Sequence, residues 1–106
     1  MRETRTMEFK ETITNTFLKT VSAFSNYDGG VILFGVDDEG NSKGLSDVKQ
    51  SCLDIENKIN DSISPQPDYK LETQNNDKII KLTVQSGAQK PYLYRSKHIN
   101  EMIPRR

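Results

Sequence analysis

The strongest structural signal in this chain is an almost unbroken apolar run at residues 31–36, which reads Val-Ile-Leu-Phe-Gly-Val. Such a run, without polar alternation, is typical of a strand that is buried on both faces. Gly29-Gly30 precede it and Asp37-Asp38 follow it, and both pairs consist of residues that favour turns. The sequence therefore predicts a short central strand that other elements cover.

The segment before this strand predicts a second short strand followed by a helix. Apolar and charged residues alternate at residues 7–10, as in a strand with one buried face. Residues 12–15 then offer hydroxyl and amide groups that can cap a helix. Phe17, Val21 and Phe24 follow at the i, i+4, i+7 spacing of one helical face. The two glycines before the central strand end this helix.

A second helix is predicted after the central strand. Residues 43–45 indicate a brief strand that returns along the central one, and Ser46 follows as the helix cap, with Asp47 at the positive end of the helix. Pro65 and Pro67 end the helix. The apolar residues of this helix recur on a single stripe: Val48, Cys52, Ile55, Ile59 and Ile63.

The remaining chain predicts three further strands. Residues 69–73 and 79–84 alternate in polarity around turn residues at 75–77, which is typical of a hairpin, and residues 91–95 can begin a last strand. The expected order is β-α-β-β-α-β-β-β. This order predicts a single α+β domain, with a mixed β-sheet of about five to six strands and two helices packed mainly on one face.

Length and composition restrict the class of protein. A chain of 106 residues with 33% hydrophobic residues and zero net charge is expected to form one domain with a small core. No apolar run approaches the ~18 residues that span a bilayer, and the charged N-terminus is unlike a signal peptide. One cysteine excludes an intramolecular disulfide and suits a reducing compartment. We therefore expect a cytoplasmic protein with no membrane partner.

The charges are unevenly distributed along the chain. Residues 37–77 hold ten acidic and four basic residues, whereas residues 78–106 hold seven basic residues and one acidic residue. A basic final third is compatible with nucleic-acid binding. Before any motif is considered, however, a solvated basic end with no partner is the simpler interpretation.

Several motifs that would indicate a specific chemistry are absent from the sequence. The chain has no Gly-x4-Gly-Lys-Ser/Thr motif and hence no P-loop for nucleotide phosphates, so ATPase activity has no support. The single histidine, His98, has no neighbour at ligand or catalytic spacing and is expected at the surface. Cys52 falls on the apolar stripe of the second helix and is expected in the core rather than as a nucleophile.

Carboxylates near two of the predicted strands form a candidate metal site. Glu3 and Glu8 flank the first strand, and Asp38 follows the central strand. If these strands are neighbours, the three carboxylates meet at one edge of the sheet, where they would suit Mg²⁺ or Mn²⁺. Glu3 and Glu8 are five residues apart, so the chain before Met7 must turn for both to take part. The alternative is a local turn in which Asp38 accepts hydrogen bonds from backbone N–H groups.

Three segments together resemble one protein family. They read Glu3-x4-Glu8-Phe9-Lys10, Ser22-Ala-Phe-Ser-Asn26 and Gly29-Gly30-x-Ile-Leu-Phe-Gly-Val-Asp37-Asp38. This combination resembles the Schlafen-type Alba-like (AlbA_2) domain, formerly called the divergent AAA domain, whose bacterial members are commonly described as transcriptional regulators. Gly44-Leu45 and Lys90-Pro91-Tyr92 also fit, so the resemblance covers roughly residues 3–97.

The resemblance implies an α+β domain associated with nucleic acid. In some animal Schlafen proteins the related domain is a metal-dependent endoribonuclease acting on transfer and ribosomal RNA, and its nuclease acids correspond to Glu3, Glu8 and Asp38. The tail departs from the family pattern, because residues 98–106 replace an expected aromatic–Arg strand. One set of codons that can encode this tail, when it is read in a shifted frame, encodes a peptide that resembles the expected strand. We therefore assign residues 1–97 to the domain and interpret residues 98–106 as an atypical tail, truncated or frameshifted.

Three functions stay open at this point. The first is a nucleic-acid-binding module of a bacterial transcriptional regulator, for DNA or RNA, with the ring of Tyr92 or Tyr94 stacked on a base. The second is a ribonuclease dependent on Mg²⁺ or Mn²⁺, with Glu3, Glu8 and Asp38 as metal ligands and catalytic residues. The third is a protein-interaction or homo-oligomerisation module. The residues expected to contact nucleic acid are Lys10, Lys90, Tyr92, Arg95 and Lys97.

Overall fold

The computed structural model describes residues 6–74, 76 and 78–95. Within these ranges the chain forms two helices and six strands. They are β1 (Met7–Lys10), α1 (Phe17–Asn26), β2 (Gly30–Phe34), α2 (Val48–Ser62), β3 (Ile63–Ser64), β4 (Tyr69–Gln74), β5 (Ile79–Val84) and β6 (Leu93–Tyr94). The predicted α+β class is confirmed.

The strands are divided between two sheets. Four of them form a mixed sheet in the order β1-β2-β5-β4, and β3 pairs with β6 in a separate two-stranded sheet. β1 runs parallel to β2 because α1 carries the chain back between them, whereas β2, β5 and β4 are antiparallel neighbours. The parallel pair places the ends of β1 and β2 at the same edge of the sheet, which positions the acidic turn discussed below.

Both helices pack on one face of the main sheet, and β2 contributes to the core on each face. Ile32 and Phe34 face the helices, whereas Leu33 faces the other side, so the predicted central strand buried on both faces is confirmed. The buried residues on the helix side are Phe17, Leu18, Val21, Phe24, Ile32, Phe34, Ile55, Ile59, Ile63, Ile80, Leu82, Val84 and Tyr92. Those of the smaller core on the other side are Phe9, Leu33, Val36 and Ile79.

Helix α1 begins later than the sequence predicts. Its first residue is Phe17 and its N-cap is Thr16, whose side chain makes no capping hydrogen bond. The hydroxyl groups of Thr14 and Thr16 lie 2.8 Å apart and bond to each other instead. The N-cap therefore lies one residue beyond the predicted range 12–15.

Helix α2 is capped by Asp47 and not by Ser46, which corrects the prediction by one residue. The Asp47 carboxylate accepts the backbone N–H of Gln50 at 3.1 Å, so the acidic side chain satisfies an otherwise unpaired donor of the first turn. At the other end, Ile63 lies beyond the helix as the first residue of β3. Its side chain is nevertheless buried in the core on the helix side of the sheet, together with the buried residues of the predicted apolar stripe.

The predicted returning strand at residues 43–45 is wrong. The described chain has only an isolated bridge here, between Val36 and Ser42. The N–H groups of the first two residues of the segment both donate to the carbonyl oxygen of Gly35, at 2.7 and 2.9 Å. The second of them, Gly44, has a φ of +81°, a left-handed conformation that interrupts an extended strand.

Candidate nucleic-acid interface

The segment at residues 90–95 is fastened to α1 by side chains of that helix. The backbone N–H of Tyr92 donates to Asn26 Oδ1 at 2.6 Å, and Asn26 Nδ2 donates back to the Tyr92 carbonyl oxygen at 2.9 Å. Ser22 Oγ donates to the same carbonyl oxygen at 2.7 Å. Because Ser22 and Asn26 are four residues apart, they lie on one flank of the helix. These three hydrogen bonds fix the position of the basic segment.

The Tyr92 side chain belongs to the core, which corrects its expected contact with a base. It is 3% exposed, and its hydroxyl accepts the backbone N–H of Gln89 at 3.1 Å. A Cβ at position 87 would overlap the Tyr92 ring, so Gly87 is the residue that admits it. Tyr94 is half-buried against the same core. Both rings therefore stabilise the fold, and the expectation of base stacking by Tyr92 does not hold.

Lys90 and Arg95 lie at the two ends of this segment with exposed side chains. The backbone N–H of Arg95 donates to the Ser62 carbonyl oxygen at 2.8 Å, which ties the end of β6 to the end of α2. Within the described ranges neither side chain has an acidic partner. Lys97, which was expected beside them, lies outside the described residues. Two of the expected cations are thus available to bind an anionic ligand.

Lys10 lies on the other flank of α1. Its Nζ is 3.3 Å from Glu8 Oε2 and 3.4 Å from the hydroxyl of Thr16. Helical geometry places Thr16 on the flank of α1 away from Ser22, so the helix separates Lys10 from the basic segment. The ion pair with Glu8 also offsets its charge. The structure therefore does not bring Lys10 together with the cations of residues 90–95.

Lys19 is an exposed cation that the sequence reasoning did not single out. It lies on the outer side of α1, between the flank where Thr20 meets β1 and the flank where Ser22 meets Tyr92. It therefore adds a positive charge on the solvent side of the helix beside the basic segment. No sequence signal distinguishes it, because a lysine on the polar face of an amphipathic helix is ordinary.

Glu8 points from β1 toward α1. Its Oε2 accepts the Thr20 hydroxyl at 2.9 Å and also contacts Lys10, as described above. A hydroxyl donor and an ammonium group therefore share one oxygen of this carboxylate. A cation at Glu8 would bind the second oxygen or displace Lys10, and oxygen donors of this type suit hard divalent ions.

The ends of β1 and β2 lie side by side, as the candidate metal site requires. The backbone N–H of Gly35 donates to the Lys10 carbonyl oxygen at 2.7 Å, so the turn that carries Asp38 begins beside the end of β1. Glu3 lies outside the described residues. Among the residues that are described, no group of three His, Cys, Asp or Glu side chains is placed to hold a metal ion. The three-carboxylate site, which includes Glu3, stays a prediction.

Asp37, and not Asp38, organises the turn after β2. Its Oδ1 accepts the backbone N–H groups of Glu39 and Asn41 at 3.0 and 2.9 Å, and Lys43 Nζ is 3.8 Å from its Oδ2. The Asn41 N–H is the main reason that the pKa of the Asp37 carboxyl lies below its usual value, although loss of solvation opposes the shift. Asp38 is exposed at the same edge of the sheet.

Comparisons with known proteins place these features in a family. Residues 3–106 match the family described as Schlafen, AlbA_2. The fold is similar to the NMR structure of the N-terminal domain of an ATP-dependent DNA helicase RecG-related protein from Nitrosomonas europaea, with a TM-score of 0.60 and 24% identity. That match covers 87% of this chain and 70% of the other, and at this identity it shows the fold alone.

No curated protein matches the chain. In the part of the chain that the structure describes, neither helix combines the length and the apolar character that crossing a bilayer requires.

Proposed function

This chain belongs to the Schlafen AlbA_2 family, and on that premise we propose that it is a nucleic-acid-binding module. The observation that carries the proposal is the anchored basic segment at residues 90–95. Its two terminal cations, Lys90 and Arg95, are exposed and have no acidic partner in the described chain. Phosphate oxygens of a nucleic-acid backbone are the natural partners of such cations.

Anchoring of the segment favours binding. A mobile basic tail loses conformational entropy when it contacts a phosphate backbone, whereas a segment already held by Ser22 and Asn26 has lost that entropy on folding. Lys19 adds a further charge on the same side of α1. Because the Tyr92 ring is buried, the proposed surface contacts the backbone of the nucleic acid and does not stack on its bases.

The finer role that we propose is the binding module of a bacterial transcriptional regulator. The structural neighbour belongs to a protein described as related to an ATP-dependent DNA helicase. An association of this chain with nucleic acid is part of the proposal. Backbone contacts position a protein on a duplex and carry no sequence information themselves. Selection of a sequence would therefore rest with other residues or another region. The same contacts can serve RNA, so the experiment compares the two.

The proposal is tested by titrating the protein into labelled single-stranded DNA, the RNA of the same sequence and duplex DNA at low salt. We expect Lys90→Ala/Arg95→Ala to weaken binding by about tenfold or more, because two phosphate contacts are lost. The matched control, Lys43→Ala/Lys78→Ala, removes two exposed lysines at the opposite end of the sheet. Equal losses of affinity in the two double variants would count against the proposed interface.

A second candidate function is supported by the pairing of β1 with β2, because Glu8 lies on β1 opposite Ile32 and the turn that carries Asp38 follows β2. We propose as the alternative a metal-dependent endoribonuclease that uses Glu3, Glu8 and Asp38, as the family resemblance implies. Three carboxylates form a donor set that suits Mg²⁺ or Mn²⁺. A cation held by them would activate water and neutralise charge on a phosphodiester.

Incubation with labelled transfer RNA and Mn²⁺, with and without a chelator, separates cleavage from binding. Glu8→Gln keeps the size of the side chain and an acceptor for Thr20, but it removes the charge that a cation needs. We expect it to abolish metal-dependent cleavage while RNA binding persists. Glu11→Gln, which changes an exposed acid just after β1, is the matched control. Cleavage that survives Glu8→Gln would rule out this assignment.

A further inference from the structure

Strand β4 forms one edge of the main sheet, since in the described chain it pairs only with β5. It is six residues long and contains neither glycine nor proline, and an edge strand of this kind is a template for another strand. Lys70 and Glu72 are exposed on the sheet face away from the helices, with Lys70 Nζ 3.9 Å from Glu72 Oε2. One face of this edge therefore carries a cation and an anion two positions apart.

Helix α2 runs beside this edge and leaves an open groove of about 620 Å³. At the middle of the groove, Leu53 is 49% exposed and offers apolar surface to solvent. The residues that line the groove are Val48, Lys49, Cys52, Leu53, Glu56 and Thr73. The groove thus has an apolar centre with a lysine toward one end and a glutamate toward the other.

The helix and the strand run in opposite directions along the groove. The chain that enters α2 is fixed near the end of β4, because Leu45 N–H donates to the Lys78 carbonyl oxygen and Lys78 N–H donates to that of Gln74. Only residues 63–68 separate the end of α2 from the start of β4, which keeps the later turns of the helix near the first residues of the strand. The middle of the strand is therefore beside the middle of the groove.

We propose that a second copy of this chain docks on this edge, with the two β4 strands antiparallel. The two-fold axis is normal to the sheet and passes midway between the strands at the level of Leu71. In this register Lys70 faces Glu72 of the partner subunit, and the symmetry repeats the pair. Antiparallel registers centred on Lys70 or Glu72 would oppose like charges, as would in-register parallel pairing. The antiparallel register centred on Leu71 is thus the one that places both Lys70 and Glu72 opposite a residue of opposite charge.

The same axis also makes the two α2 helices complementary. If it passes between the two α2 helices at the level of Cys52 and Leu53, the helices lie antiparallel and Lys49 faces Glu56 of the partner subunit. The exposed Leu53 then packs against Cys52 of the partner subunit. This contact buries apolar surface that is exposed to solvent in the single chain. The charges of β4 and of α2 are therefore both complementary to those of a second copy related by the same axis. A strand of unrelated sequence would provide neither set of complementary charges. This docking surface lies beyond the proposed function and does not depend on it.

The test is sedimentation equilibrium of the whole chain, with charge reversals that are complementary to each other. Wild type should sediment with twice the 12.1 kDa mass of one chain. In the Lys70→Glu chain, positions 70 and 72 of the edge strand are both negative. In the Glu72→Lys chain, both positions are positive. Each variant alone should dissociate about tenfold or more readily, because both cross-strand pairs become repulsive.

An equimolar mixture of Lys70→Glu and Glu72→Lys chains should form a heterodimer about as stable as the wild-type dimer, because each anion then faces a cation. Lys19→Glu, on the exposed side of α1, is the control and should stay dimeric. Recovery in the mixture also establishes that the single variants are folded. A wild-type monomer up to about 1 mM, dimers that both reversals leave intact, or a mixture that stays monomeric would each overturn the proposal.

Discussion

Asn26 ties the basic segment to the fold through both backbone groups of a single residue, Tyr92. An amide can accept from an N–H and donate to a carbonyl at once, whereas a carboxylate at this position could only accept. Ser22, one turn earlier, adds a third bond to the same carbonyl oxygen. The placement of Lys90 and Arg95 therefore depends on two uncharged side chains of α1.

We predict that Asn26→Ala lowers the free energy of unfolding by about 1–3 kcal/mol. In the described chain the Tyr92 N–H loses its acceptor, and the Tyr92 carbonyl oxygen loses one of its two side-chain donors. Nucleic-acid affinity should fall as well. Denaturant unfolding gives the first quantity. The control is Ser25→Ala, one residue earlier, whose buried hydroxyl has no hydrogen-bond partner in the described chain. A cost for Ser25→Ala as large as that for Asn26→Ala would contradict this account.

The Asp37 turn gives a prediction for pH. The pKa of this carboxyl is lower in the folded chain than its usual value of 3.8, so its charge stabilises the fold above that value and the contribution disappears as pH falls through the lower, folded pKa. Asp37→Asn should therefore be less stable than wild type at neutral pH, and the difference should shrink as pH falls below 3.8. Thermal melts across this range measure the difference, and a constant difference down to low pH would refute the assignment.

At the scale of elements, α2 is held to the sheet by a narrow apolar stripe. Ile55 and Ile59 are fully buried in the core cluster that also includes Ile80 and Leu82 of β5, as the spacing in the sequence predicts. Val48 and Cys52, earlier on the stripe, are only partly buried because the groove beside β4 opens there. The C-terminal half of the helix therefore carries most of its packing energy.

We predict that Ile55→Ala or Ile59→Ala lowers the free energy of unfolding by about 2–5 kcal/mol, because each leaves a cavity among side chains that are themselves buried. That is a large part of the roughly 5–15 kcal/mol expected for a whole domain. Asn57→Ala, on the exposed side of the same helix, should change stability by less than about 0.5 kcal/mol. Urea unfolding measures all three, and similar losses at positions 57 and 59 would show that the stripe is misassigned.

Periodicity in the sequence was sufficient for the helices, the hairpin of β4 and β5, and the central strand, since each depends on which side chains are apolar. It failed at residues 43–45, where turn residues and two hydrogen bonds to Gly35 outweigh a weak strand pattern. It also missed the role of Asn26, because a bond between residues 66 positions apart has no local signal. The burial of Tyr92 was missed for the same reason.

At the scale of the whole molecule, the two proposed contacts use different parts of the fold. The nucleic-acid surface is formed by residues 90–95 and the outer side of α1, which packs beside β1. The docking surface is formed by β4 and α2, and β4 is the strand farthest from β1 in the sheet order. Although the net charge of the chain is zero, basic residues lie on the proposed nucleic-acid surface and charges of both signs lie on the proposed docking surface.

The central claim is that Lys90 and Arg95 bind phosphates, and the salt dependence of binding tests it most directly. Each phosphate contact contributes about −0.7 to the slope of log affinity against log salt for a single strand. We predict that Lys90→Ala/Arg95→Ala makes this slope less steep by about one to two units relative to wild type. Lys43→Ala/Lys78→Ala should leave the slope as it is. A Lys90→Ala/Arg95→Ala slope equal to that of wild type would contradict the account, because no phosphate contact would then have been lost.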